Sequence, residues 1–376
     1  MHLVLVRIIR PLALARVHLA CAALLSLAPG CGDDATTAPP DAARPADAAR
    51  PSSDVAGVDA APPDDVAVTR DAIAPPDALA PPDVTSPPAD AAATPVVIDG
   101  SRVPAGAALY TGDRTRFGVR DLAGALDRAL AGARVDNVIF YVHGRGCGGE
   151  PEKSLSEAMP ALTRDYTSAP ILLFWPGSDD ACPLGFPEAR AREAGPALAV
   201  ALGDLQRYKI EHATRVAGVQ FTLLTHSMGS LVLEAATAVA GVSRLPADLL
   251  ATTVVNAGAS AAPDHAPWLA RVTFSRAVFT TVNGGDRVLL AAGLGRATRL
   301  GRSITGARLA AGVHYVDFSA NDVNHAYYVV SGQSGAAMTA FYQRVMNGLP
   351  FDFAASAGVA ANELRDGAAV HRFNGR

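Results

Sequence analysis

Residues 97–350 predict one α/β domain, a mostly parallel sheet with helices on both faces. Three observations carry this expectation. Short β-branched and aromatic runs alternate with helical patterns from Pro95 onward. The runs are apolar almost throughout, as strands covered on both faces must be. One tight segment, Thr225-His226-Ser227-Met228-Gly229, joins such a run directly to a helical pattern.

The elements follow in order. Segment 97–136 offers one strand pair and a helix over 121–133. Val-Ile-Phe-Tyr-Val at 138–142 reads as a buried strand, and 152–164 as a helix. Ile-Leu-Leu-Phe-Trp at 171–175 is the next strand, stopped by Pro176 and Gly177. Residues 188–208 read as one long amphipathic helix. A strand over 219–224, a helix over 228–240, and strands over 252–256, 278–282 and 313–318 complete the series. Strands separated by helices make crossover units, and these force parallel neighbours. No internal repeat interrupts the pattern, and 351–376 reads as a C-terminal tail.

The chain before this domain has a different composition. Arg7, Arg10 and Arg16 precede an apolar run over 17–27, broken only by His18 and Ser26, and then Ala28-Pro29-Gly30-Cys31. The run is too short to span a bilayer as a mature helix, so residues 1–30 read as a signal peptide. The small residues before Cys31 resemble a bacterial lipoprotein processing site, which makes Cys31 the expected lipidation position. Ala28 and Pro29 depart from the usual pattern there. Several acyl chains would hold the protein on a membrane where one would not. Residues 31–96 carry four Pro-Pro-Asp repeats and no periodic apolar face, so this stretch reads as a disordered Pro/Ala/Asp-rich tether.

Charge narrows the function classes. The whole chain has a formal net charge of −4, but 33–96 holds twelve Asp against three Arg. The folded part is therefore close to neutral and has no basic stripe of the kind nucleic acid needs. Cys147 and Cys182 are the two cysteines inside the domain. An even pair in an exported protein favours a disulfide, with two buried free thiols as the alternative. No histidine or cysteine cluster has metal-ligand spacing, so neither a metal nor a cofactor is expected.

Thr225 to Gly229 carries the chemistry. A serine on a strained turn between strand and helix has its Oγ raised above the strand ends, with the next N–H aimed at a developing oxyanion. Gly229 keeps the small residue such a turn needs. Thr225 stands where a first glycine is usual. An ordinary helix N-cap serine is the plainer alternative.

Residues 137–345 resemble the α/β-hydrolase superfamily, most closely an uncharacterised bacterial branch with lipase- and esterase-like sequence. The carrying segments are Tyr141 to Gly146 (Tyr-Val-His-Gly-Arg-Gly), Leu173 to Pro176 (Leu-Phe-Trp-Pro), Leu224 to Gly229, Val282 to Val288 (Val-Asn-Gly-Gly-Asp-Arg-Val) and Asn324 to Tyr328 (Asn-His-Ala-Tyr-Tyr). The superfamily's order of nucleophile, acid and histidine is matched by Ser227, Asp286 and His325. Asp264 is the rival acid and His314 the rival base, although His314 fits a strand-face position better. His226 is expected to point elsewhere from the turn. The resemblance also makes His143, Gly144 and Gly146 an oxyanion loop, with the N–H groups of Met228 and Arg145 as donors.

The expectation is thus a carboxylic-ester hydrolase on a lipid anchor, monomeric, acting on a small-molecule or lipid ester through an acyl-enzyme. A non-catalytic binding protein with the same fold is one alternative. Another arises because Gly144 to Gly149 also fits the G-x-G-x-x-G pattern of dinucleotide sites.

Overall fold

The structure, a computed structural model, describes residues 94–132, 135–145, 151–177, 186–331 and 335–375. The signal peptide, the tether up to residue 93, Cys31, Cys147 and Cys182 lie outside these residues, as do Gly146, Gly148 and Gly149.

The apolar runs form a ten-stranded sheet. A hairpin of β1 (Ala108–Thr111) and β2 (Arg116–Gly118) begins it, with β1 antiparallel to β4 (Ala169–Phe174). Strands β3 (Asn137–Val142), β5 (Gln220–His226), β6 (Leu250–Asn256), β7 (Ser275–Val282) and β8 (His314–Asp317) run parallel to one another and to β4. With β9 (Val359–Arg365) and β10 (Ala368–Phe373) at the far edge, the order across the sheet is β2-β1-β4-β3-β5-β6-β7-β8-β10-β9. β3 and β6 are buried along their whole length, which is why their sequences show no polar–apolar alternation.

This order positions the site. From β3 the chain crosses to β4 on one side and then to β5 on the other. The sheet therefore has its switch point at the carboxyl ends of β3 and β5, where the two following loops diverge and leave a crevice. Register sets Val142 beside Thr225, and His226 beside Asn256. The loop after β3, the turn after β5 and the end of β6 meet there.

Three differences from the sequence reading have physical causes. Residues 188–208 are two helices, α3 (Glu188–Glu193) and α4 (Gly195–Glu211), following α1 (Leu122–Ala129) and α2 (Met159–Tyr166). Pro196 sits in the first turn of α4, where its missing N–H costs nothing, whereas inside one continuous helix it would break the ladder. The helix over 152–164 contains a π-helical turn, Ser154–Ala158, and Pro160 lies just after it, inside the continuing helix, where its missing N–H removes an α-helical donor. The C-terminal residues are not a tail. After α8 (Ala336–Met346), β9 (Val359–Arg365) and β10 (Ala368–Phe373) form a hairpin that extends the sheet, with β10 parallel to β8. Phe373 packs on Phe318 at 4.8 Å, within a cluster that includes Phe341 and Phe353. The domain also begins slightly before residue 97: Val96 donates its N–H to the Gln206 side chain at 2.9 Å.

Candidate active site

β5 ends at His226, and Ser227 turns back with φ +52°. That left-handed conformation is unfavourable for a residue with a side chain and persists only where the surroundings impose it. Here three backbone bonds impose it. Ser227 donates to Asn256 O at 3.0 Å, and its own carbonyl accepts from Ser230 at 3.1 Å and Ala259 at 3.0 Å. α5 (Gly229–Ala236) starts two residues later. A Cβ on Gly229 would sit 2.5 Å from Val142 O, so only glycine lets the helix approach β3 this closely. The strand order and this strained serine turn together decide the fold class. The fold is that of the α/β-hydrolases.

Thr225, where a glycine is usual in this turn, does not prevent it. Its side chain is fully buried within β5, and its hydroxyl finds no partner among the described residues. The threonine therefore carries an unsatisfied polar atom, which is destabilising, while the turn keeps its shape.

Asp286 caps α7 (Arg287–Gly293), which follows α6 (His265–Leu269). One carboxylate oxygen accepts from the N–H of Leu289 at 2.9 Å, and the other lies 2.6 Å from Nδ1 of His325. The acid's side chain is fully buried and that of His325 nearly so. The loops bearing these residues are tied together. Gly284 N–H donates to Ser319 Oγ at 2.7 Å, and the Asn283 side chain donates to Val323 O at 3.3 Å. Turn, helix cap and cross-loop bonds thus fix the Asp286–His325 pair before any substrate arrives.

The rivals fall away on position. Asp264 is exposed at the end of a short 3-10 turn, with no side-chain cap bond. His314 opens β8, at the opposite end of the sheet from Ser227, and its Nδ1 lies 3.0 Å from Nε2 of His371. His226 departs from expectation. Instead of pointing away from the site, its ring lies 4.7 Å from that of His325 and 5.1 Å from that of Tyr328. The residue before Ser227 is therefore in ring contact with His325.

The loop after β3 leans on the serine. A Cβ on Gly144 would come within 2.9 Å of Ser227 Cβ and 3.3 Å of His226 O. The elbow alone accounts for this glycine, so no bound phosphate is needed to explain it. His143 is packed between Phe174 and Trp175, at 5.2 and 5.1 Å. Trp175 donates its backbone N–H to His143 Nε2 and its indole N–H to His143 O, each at 3.1 Å. Burial pushes the His143 pKa down to about 4, so the ring is neutral and structural. The Arg145 guanidinium lies over the Phe186 ring, 5.4 Å from its centroid. Met228 stands at the N-terminus of α5 with φ −66°.

Sequence reasoning missed the supports beneath this site. Asn256, Tyr342 and Tyr328 are all buried there. Asn256 carried a usable signal: a polar residue ending an otherwise apolar strand beside the serine turn.

No protein-family model matches the chain, and no curated protein matches its sequence. Among solved structures it is similar to a carboxyl esterase of the mycorrhizal fungus Tuber melanosporum, with 16% identity over 57% of this chain and 79% of that one and a TM-score of 0.34. It is similar to an esterase of Pyrococcus furiosus with 9% identity, 64% and 89% coverage and a TM-score of 0.33. A Pyrobaculum calidifontis esterase gives 12%, 57%, 77% and 0.29. The fold class rests on strand order and the elbow, not on these likenesses.

Proposed function

We propose that the protein is a serine hydrolase that cleaves carboxylic esters through an acyl-enzyme. Ser227 Oγ attacks the substrate carbonyl and its proton passes to His325. Asp286 holds the opposite ring nitrogen, fixes the tautomer and stabilises the imidazolium that forms. The N–H groups of Met228 and Arg145 receive the developing oxyanion, each worth roughly 2.7–4 kcal/mol in such sites. The close approach of Gly144 to Ser227 supports that assignment. His325 then returns the proton to the leaving alcohol, and water releases the acid by the same route.

The single observation that carries this reading is the buried Asp286 carboxylate 2.6 Å from Nδ1 of His325, whose ring rests on the residue preceding a strained serine. A triad histidine needs this orientation, and a helix-capping aspartate alone does not. The test is hydrolysis of a panel of p-nitrophenyl esters by wild type and Ser227→Ala. Turnover by wild type that disappears in a folded Ser227→Ala protein supports the reading. Equal rates in both overturn it.

The sequence before the domain supports a location as well. Cleavage ahead of Cys31 and its acylation would make the protein an exported bacterial lipoprotein, tethered by 31–96 to the outer membrane or cell surface. Lipid or cell-wall acyl esters suit an enzyme held there. Metabolic labelling with a fatty-acid probe, lost in Cys31→Ser, tests this.

A further inference from the structure

The proposed chemistry uses His325 and leaves a second imidazole beside it unassigned. His226 is buried, and its Nδ1 lies 3.2 Å from the amide nitrogen of Asn256. The amide oxygen of Asn256 accepts the Tyr342 hydroxyl at 2.6 Å, which leaves the nitrogen facing His226. An amide N–H only donates, so Nδ1 of His226 is an acceptor and the neutral ring carries its proton on Nε2. The rings of His325 and Tyr328 rest against it, tilted by 52° and 57°. Tyr328 is itself anchored. Its hydroxyl lies 2.9 Å from that of Tyr141, and its carbonyl accepts from Tyr166.

The titratable groups facing His226 are His325 and Tyr328 from the loop after β8 and His143 from the end of β3, while β6 contributes the neutral Asn256. Burial holds His226 well below the ordinary imidazole range, and the neighbouring His325 and His143 push the same way. Protonating Nδ1 would also set two donors against each other at Asn256. In the proposed reaction His325 becomes an imidazolium, and a like charge at this separation would oppose that step.

We propose that His226 is a positioning residue for the base: a neutral imidazole, set in its Nε2–H form by Asn256, that seats the ring of His325 and keeps a second positive charge away from it. This rests on the reading of His325 as the base.

The test is ring titration of the histidines by NMR in the full chain, alongside the pH dependence of inactivation by a fluorophosphonate. Wild-type His226 is expected in the Nε2–H form and silent between about pH 5 and 8. In Asn256→Asp the carboxylate accepts from both Tyr342 and His226, so His226 gains a proton in that range. A second positive charge beside the base is then expected to slow inactivation severalfold in the pH range where His226 is protonated. A wild-type His226 that titrates in that range or holds its proton on Nδ1 overturns the proposal. So does a folded Asn256→Asp protein in which His226 titrates in that range while inactivation keeps its wild-type rate. His226→Ala and His226→Phe provide a second arm, which also serves where Asn256→Asp does not fold. Removing the seat is expected to slow inactivation per folded molecule about tenfold, and phenylalanine to restore most of it, as ~1 Å misplacements can cost even more. Equal rates for both variants and wild type overturn the proposal. A folded wild type that never reacts instead sinks the reading of His325 as base, while the ring titration still decides the tautomer and charge of His226.

Discussion

Asp286 binds Leu289 N–H with one carboxylate oxygen and His325 Nδ1 with the other, at 2.9 and 2.6 Å. The same side chain thus starts a helix and orients an imidazole. Asp286→Asn separates the two tasks, because asparagine caps a helix about as well as aspartate. The melting temperature is expected to change little. Ester turnover is expected to fall roughly 10⁴-fold, since the amide favours the wrong tautomer of His325. Thermal melts and steady-state kinetics on the same preparation check both halves.

Gly229→Ala tests the close approach of α5 to β3. The added methyl would lie 2.5 Å from Val142 O, and the atom it meets is backbone. A loss of about 1–3 kcal/mol in urea unfolding is expected, as for other overpacked sites. Ester turnover is expected to drop as well, because the shift passes straight to Ser227.

Much of this was legible in the sequence, for a physical reason. β3, β5 and β6 are central and covered on both faces, so they appear as runs rich in apolar and β-branched residues, and Ser227, Asp286 and His325 each follow a strand in a recognisable order. The C-terminal hairpin was not legible. β9 is an edge strand exposed at nearly every position, so its sequence, Val-Ala-Ala-Asn-Glu-Leu-Arg, shows no buried face. The role of His226 was hidden for another reason. Period-2 alternation assigns a face of the sheet, but not what a ring at the strand's end will touch once the loop after β8 folds over it.

Thr225 offers a stabilising substitution. Its buried hydroxyl has no partner among the described residues, and valine matches its shape. Thr225→Val is expected to raise the unfolding free energy by about 1 kcal/mol, with ester turnover unchanged. A destabilised variant would mean that the hydroxyl has a partner after all.

Stability is expected to depend on pH through His371, whose pKa burial and then the neighbouring His314 push down to about 4. Its Nδ1 faces the side-chain amide oxygen of Asn362 and its Nε2 accepts from His314, so protonation would set donor against donor. The folded pKa lies below the ordinary histidine value near 6.5, so the stabilisation is complete above about pH 6.5 and is lost as pH falls toward 4. Urea midpoints measured across that window should decline toward acid. In His371→Leu the decline should be shallower.

The central claim, that Ser227 is a nucleophile activated by His325, is tested most directly by intact-mass and peptide analysis after reaction with a fluorophosphonate. A single adduct is expected on the peptide containing Ser227, absent from Ser227→Ala and formed far more slowly in His325→Ala. A folded wild-type protein that remains unmodified, or an adduct that persists in Ser227→Ala, would contradict it.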